Sequence, residues 1–147
     1  MELLAPDPQR IAPEVGEPAA DRVPDELAGG TPEPLRSELT ALLGDDRVLT
    51  RVLDLVRYAS DASPYRRLPK AIVMARDPDD VSKVLAYGRR SGIPVTLRAG
   101  GTSLSGQAQG DGILVDVLRH WRGIEVLERA LQARVRPGTI LGHANRV

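Results

Sequence analysis

Three short apolar runs in the middle of the chain have the length and composition of buried β-strands. They are rich in valine, isoleucine and leucine, are bounded by glycine, proline or charged residues, and cover Ala71–Met74, Ile93–Leu97 and Gly112–Val117. Between the first two runs, apolar or small residues recur at helical spacing, at Val81, Val84, Leu85 and Gly88. We therefore predict a strand–helix–strand unit with parallel strands, followed by a third strand.

The residues that flank this helix have the chemistry of helix ends. Asp77 is a suitable N-cap, and Pro78 suits the first helical position because an N–H there has no intrahelical partner. Asp79 and Asp80 favour the positive end of the helix dipole, which is a simpler interpretation than a pair of catalytic acids. Gly92 is the expected C-terminal stop.

Weaker patterns lie on both sides of this unit. Upstream, helical spacing predicts two helical stretches. The apolar positions of the first, which ends at Gly44, are Leu35, Leu39, Leu42 and Leu43. Those of the second are Val48, Val52, Leu55 and Val56. Downstream, residues 124–128 and 133–136 alternate in polarity and predict an antiparallel hairpin. Thr139 is the expected cap of a last helix. The predicted fold class is α/β (α+β): a small three-stranded parallel sheet with helices, then the start of an antiparallel subdomain.

The first part of the chain has a different composition. Residues 1–34 contain seven of the twelve prolines, and residues 1–33 carry eight acidic and two basic residues. We interpret 1–33 as a disordered, acidic, proline-rich leader, with order beginning near Pro34. The remainder is correspondingly basic, but its bases are scattered and aromatic residues make up only 3%. Nucleic acid is therefore not an expected partner.

Several other classes of protein are disfavoured. The chain has no cysteine, so it offers no disulfide scaffold and no thiolate metal site, and its two histidines, His120 and His143, lack partners for a metal centre. No stretch has the length of a transmembrane helix, and the N-terminus lacks the features of a signal peptide. We therefore predict a cytoplasmic protein without a transmembrane segment.

The residues with the clearest chemistry follow the second predicted strand. This loop combines a permanent cation, three glycines and three hydroxyl side chains, in the order Arg98, Ala99, Gly100, Gly101, Thr102, Ser103, Leu104, Ser105, Gly106 and Gln107. Successive N–H groups in a glycine-rich turn can form an anion-binding nest. The pattern suits a diphosphate. From spacing alone, a flexible loop without a ligand remains an equal alternative.

Two common phosphate-binding motifs do not fit this loop. Gly101 and Gly106 have the spacing of a Walker A loop, but Gln107 stands at the lysine position and Ala108 at the magnesium-binding hydroxyl position. An enzyme that processes nucleoside triphosphates is therefore disfavoured. The G-x-G-x-x-G fingerprint fails as well, because the glycine spacing differs and the loop leads to a strand rather than a helix.

Residues 58–147 resemble the FAD-binding domain of the vanillyl-alcohol oxidase and p-cresol methylhydroxylase superfamily, in the branch with glycolate oxidase FAD subunits and D-lactate dehydrogenases. The similar segments, in matching order and spacing, are Tyr58–Ala62, Leu68–Val73, Asp79–Val84, Gly92–Arg98, Ala99–Gln107, Gly112–Val117 and Val135–Gly138. This resemblance implies that 34–147 is the N-terminal part of an FAD-binding domain, truncated at Val147.

The resemblance also implies roles. The loop Arg98–Gln107 would wrap the FAD diphosphate, and Pro137 and Gly138 would lie near the cofactor. Thr102 stands where some members have a histidine that tethers FAD, so non-covalent FAD is expected. Similarity to large bacterial FAD-linked oxidases implies iron–sulfur clusters in a region beyond Val147.

The implied activity is oxidation of a 2-hydroxy acid, or a similar alcohol, by hydride transfer to the flavin. No residue of the chain is assigned as catalytic, and the sequence identifies no electron acceptor. The fragment alone is expected to be inactive. The alternative is a truncated, non-catalytic module that binds FAD or another diphosphate.

Overall fold

The computed structural model describes residues 22–128 and 131–146. After a 3-10 turn at Asp25–Leu27, the regular elements in chain order are α1 Leu35–Leu43, β1 Val48–Leu49, α2 Val52–Arg57, β2 Ala71–Met74, α3 Pro78–Ser91, β3 Val95–Arg98, β4 Ile113–Asp116, β5 Ile124–Leu127, β6 Gln132–Val135 and α4 Leu141–Ala144. The predicted mixture of helices, a largely parallel sheet and an antiparallel hairpin is confirmed.

The main sheet has four strands in the order β1-β2-β4-β3. β2 and β3 both pair in parallel with β4, as predicted, with Ala71 and Val95 opposite Ile113. The fourth strand is a correction. Val48, which we predicted to be helical, belongs to β1 and pairs antiparallel with Val73. A two-residue strand has no periodicity of its own, so only its neighbour in the sheet reveals it.

The helix between β2 and β3 has the predicted ends. The side chain of Asp77 accepts a hydrogen bond of 3.0 Å from the Asp80 N–H, Pro78 opens the helix, and Gly92 closes it in a left-handed conformation. α3 is the longest helix described, at 14 residues, and no helix in the described part of the chain is long and apolar enough to cross a membrane.

Both faces of the sheet are covered. Alternate strand residues that include Val73, Ile113 and Val115 pack against α1 and α3, whereas Ile72 and Leu114 pack against α2 on the opposite face. The strands β2 and β4 are therefore buried on both sides, which explains their continuous apolar runs.

Ordered structure begins earlier than the predicted boundary at Pro34. Leu27 is 3% exposed and packs with Leu55, Ile72 and Leu114, and the Thr31 N–H donates to the Thr50 carbonyl at 2.8 Å. Residues 22–33, which we assigned to the leader, thus cover the second face of the sheet. Residues 1–21 of the predicted leader lie outside the described residues.

The hairpin of β5 and β6 is antiparallel, as predicted, with Ile124 opposite Val135. The predicted cap of the last helix is wrong. The Thr139 hydroxyl donates to the Gly123 carbonyl at 2.9 Å, and α4 begins two residues later without a side-chain cap. Thr139 therefore ties the start of the hairpin to the segment that follows it.

Candidate functional site

The glycine-rich loop begins where β3 ends and crosses the sheet face that carries α2. Arg98 is the last residue of β3, and its register partner Asp116 is the last residue of β4. The loop lies beside the segment that follows α2, because the Ala62 N–H donates to the Gly101 carbonyl at 3.0 Å. The carboxyl ends of parallel strands, where this loop starts, are the usual place for ligands in α/β sheets.

Gly101 and Arg98 are in direct contact. Gly101 has φ of +64°, and a Cβ added to it would lie 2.7 Å from the guanidinium carbon of Arg98. The left-handed backbone therefore favours glycine here, and a larger residue would also displace the guanidinium of Arg98 from the loop. This contact places the permanent positive charge against the backbone of the loop.

The first part of the loop presents unpaired backbone donors. No acceptor among the described residues receives a hydrogen bond from the N–H groups of residues 100–104. The Gly100, Thr102 and Leu104 residues are also exposed, so a ligand can reach this stretch. Several free N–H groups beside one arginine are a donor set that fits a diphosphate, which has many acceptor oxygens and no donors.

The Ser103 hydroxyl organises the second half of the loop. It accepts hydrogen bonds from the N–H groups of Ser105 at 3.3 Å and Gln107 at 3.1 Å, and it donates to the side-chain oxygen of Gln107. This hydroxyl is thus engaged within the loop, whereas the structure records no such internal bond for the hydroxyls of Thr102 and Ser105.

A buried glutamine that sequence reasoning missed anchors the end of the loop. Gln109 is 7% exposed, and its amide nitrogen donates to Asp61 Oδ1 at 2.5 Å, Ser63 Oγ at 3.1 Å and the Tyr65 carbonyl at 2.9 Å. Desolvation opposes ionisation of Asp61, but hydrogen bonds from Ser63, Gln109 and the Ala108 backbone outweigh it and lower the pKa of Asp61 to about 2. An ionised carboxylate therefore holds the loop end in place at neutral pH.

Tyr58 and Asp116 form a second anchor, which sequence reasoning also missed. The Tyr58 hydroxyl donates to Asp116 Oδ2 at 2.6 Å, and Asp116 is 5% exposed. Burial and the bond to Asp116 raise the pKa of Tyr58 to about 12, so the phenol stays protonated. With Arg98 and Gly100, both side chains line a cleft of about 200 Å³. The sequence signal was a single aspartate within a buried apolar run.

Gly138 lies buried at the same end of the sheet, whereas Pro137 is exposed. The Gly138 N–H donates to the Trp121 carbonyl at 2.9 Å, and a Cβ added to Gly138 would lie 2.6 to 2.8 Å from three carbonyl oxygens, those of Val117, Leu118 and Trp121. Close backbone packing against the turn after β4 therefore already explains why this position is glycine.

No group of histidine, aspartate and glutamate side chains in the described ranges is suited to hold a metal ion. His120 and His143 are both exposed. Neither residue lies in the loop or in its two anchors.

The chain matches the family model of the FAD binding domain over residues 69–147. This match contains β2, β3, the whole glycine-rich loop and the hairpin.

Two relatives each match more than half of the chain. A D-2-hydroxyglutarate dehydrogenase of Pseudomonas putida is 40% identical over 91 residues, which are 59% of this chain and 9% of the relative. The glycolate oxidase subunit GlcD of Bacillus subtilis is 35% identical over 86 residues, which are 56% of this chain and 18% of the relative. The chain thus spans less than a fifth of the length of these proteins.

Solved structures share the fold. p-Cresol methylhydroxylase superposes with a TM-score of 0.60 at 23% identity, over 75% of this chain and 23% of the other. 6-Hydroxy-D-nicotine oxidase of Arthrobacter nicotinovorans superposes with a TM-score of 0.51 at 30% identity, over 61% and 20%. The family match covers more than half of the sequence, and we conclude that this chain belongs to the FAD binding domain family.

Proposed function

We propose that the loop Arg98–Gln107 binds the diphosphate of FAD. The observation that carries this proposal is the row of unpaired N–H groups at 100–104, which lies beside the guanidinium of Arg98. These groups can each donate to a phosphate oxygen without breaking a bond within the protein. The residues outside the loop that are proposed to lie at the cofactor, from sequence similarity, are Pro137 and Gly138.

The proposed attachment is non-covalent. Thr102 stands at the position where some members of the superfamily carry the histidine that tethers the cofactor, and a threonine hydroxyl does not form that bond. The described histidines, His120 and His143, lie in segments other than this loop. In this proposal the loop holds the diphosphate by hydrogen bonds and charge.

We propose that the complete protein oxidises a small 2-hydroxy acid. The support comes from the names of two relatives, D-2-hydroxyglutarate dehydrogenase and a glycolate oxidase subunit, which match 59% and 56% of this chain. FAD supplies a two-electron acceptor for such chemistry, and the protein supplies binding and orientation. In this chain the proposed task is to hold the cofactor. We assign no residue of this chain to contacts with the substrate, with the electron acceptor or with any iron–sulfur cluster.

Anaerobic mixing of the full-length protein with 2-hydroxy acids tests this activity. We expect D-2-hydroxyglutarate, glycolate or D-lactate to bleach the flavin absorbance in the visible region, because the substrate delivers a hydride to the oxidised ring. A dicarboxylic acid without a hydroxyl group, such as glutarate, is the matched control and should leave the spectrum unchanged. Bound FAD that none of the hydroxy acids reduces would favour a non-catalytic FAD-binding module.

A further inference from the structure

Arg98 and Asp116 are neighbours that do not pair. They end adjacent parallel strands as register partners, and the simple expectation for opposite charges so placed is an ion pair. Among the described side chains, however, the recorded partners of Asp116 are Tyr58 and two backbone N–H groups, and Arg98 bonds elsewhere. Other hydrogen-bond partners therefore keep the carboxylate of Asp116 and the guanidinium of Arg98 from pairing with each other.

Both oxygens of Asp116 already have donors. Oδ2 accepts from the Tyr58 hydroxyl at 2.6 Å, and Oδ1 accepts from the N–H groups of Leu118 at 2.7 Å and Arg119 at 3.2 Å. These donors satisfy the buried carboxylate within the turn that follows β4. Asp116 thus does not require the guanidinium of Arg98.

Tyr58 also holds Arg98, through its backbone carbonyl and its aromatic ring, neither of which carries a formal charge. Its Nη1 donates to the Tyr58 carbonyl at 3.1 Å, and its guanidinium carbon lies 5.3 Å from the centre of the Tyr58 ring. A guanidinium has five N–H donors, so this arrangement fixes the group and leaves most of its donors for another acceptor. The fixed position is directly against Gly101 of the loop.

We infer that Tyr58 is a positioning residue that withholds Arg98 from Asp116 and so preserves its charge for the diphosphate at the loop. This inference rests on the proposed binding of FAD. The tyrosine hydroxyl occupies the carboxylate while the tyrosine carbonyl and ring hold the guanidinium. Without the hydroxyl, Oδ2 of Asp116 loses its donor. The guanidinium of Arg98, which lies over the same ring, is then expected to donate to Oδ2, and the resulting ion pair would offset its positive charge.

The test compares dissociation constants for FAD and riboflavin, measured by fluorescence titration of the full-length protein after removal of its flavin. Tyr58→Phe keeps the ring and removes the hydroxyl, and we expect it to weaken FAD binding about tenfold, the size of one lost charge-assisted hydrogen bond. Riboflavin, which has no phosphate, should be affected by less than about twofold, since the loop itself is intact.

A second substitution supplies the rescue. In the double variant Tyr58→Phe with Asp116→Asn, residue 116 can no longer neutralise Arg98, so FAD affinity should return to within about threefold of the wild type. Asp116→Asn alone should lower the dissociation constant for FAD, because a negative charge near the anion site is removed. This single variant tests the inference even where Tyr58→Phe fails to fold.

The inference would be overturned by unchanged FAD affinity in Tyr58→Phe, by a double variant as weak as Tyr58→Phe, or by weaker FAD binding in Asp116→Asn alone. Equal losses for FAD and riboflavin would point to general damage of the loop and would also overturn it. A wild-type protein that binds no FAD would instead refute the proposed function, so the two failures are distinguishable.

Discussion

Replacing Arg98 by alanine is expected to weaken FAD binding by about ten- to a hundredfold, the range for losing hydrogen bonds to a charged group. The guanidinium lies against the backbone of Gly101 and carries the permanent positive charge at the base of the loop. Its loss removes both that charge and the contact that holds the tyrosine ring. The measurement is a titration of the flavin-free, full-length protein with FAD, followed by flavin fluorescence.

Two further variants make this result specific. Arg98→Lys keeps the charge but loses the planar fork, so we expect an affinity between those of the wild type and Arg98→Ala. Arg36→Ala removes an exposed arginine of α1, on the opposite face of the sheet, and should leave the affinity unchanged. Equal FAD affinity in Arg98→Ala and Arg36→Ala would contradict a role for Arg98 in binding the diphosphate.

The largest expected loss of stability follows substitution of Asp80 by asparagine. Asp80 forms a two-pronged ion pair with Arg47, at 2.5 and 3.0 Å, and accepts from the Arg76 N–H at 2.9 Å. The two charged side chains are only 4% and 11% exposed. Removing one charge of a buried pair leaves the other unpaired, so the free energy of unfolding should fall by about 3–5 kcal/mol.

Asp79 provides the matched control for this prediction. It is the preceding residue in the same first helical turn, but its side chain is exposed. Asp79→Asn should cost only a few tenths of a kcal/mol, through the weaker interaction with the helix dipole. Thermal or urea unfolding followed by circular dichroism measures both variants. Similar midpoints for the two would mean that the Arg47–Asp80 pair does not stabilise this part of the protein.

Elements with strong local signals could be predicted from the sequence. β2 and β4 are buried on both faces, so their residues form continuous apolar runs, and α3 has a cap, a first-turn proline and a terminal glycine at the expected positions. In these elements local preference and tertiary packing agree, so position and type were both recovered.

Features that depend on distant residues could not be predicted in this way. β1 exists because Val48 and Leu49 pair with β2. Leu27 is buried because it packs against Ile72 and Leu114 on the second face of the sheet. Asp80 is a residue type that is common in the first turn of a helix, but its ion-pair partner Arg47 lies 33 residues upstream. Periodicity and capping rules describe near neighbours in sequence and contain no information on such contacts.

The candidate site also combines features that are local in sequence with contacts between distant residues. Glycines, hydroxyls and an arginine in one short segment identified the loop, because the whole donor set is local. Its anchors come from elsewhere in the chain: Gln109 reaches Asp61, 48 residues away, and Tyr58 reaches Asp116, 58 residues away. A tyrosine before a loop is an ordinary packing residue until the fold places its hydroxyl on a carboxylate.

The central claim, that this loop holds FAD without a covalent bond, is tested most directly by denaturing the purified full-length protein in acid and identifying the flavin in each fraction. We predict equimolar FAD in the soluble fraction and none on the precipitated protein. A folded protein that releases no flavin, carries none covalently and binds none when FAD is added would contradict the account. The loop Arg98–Gln107 would then be a structural turn without a ligand.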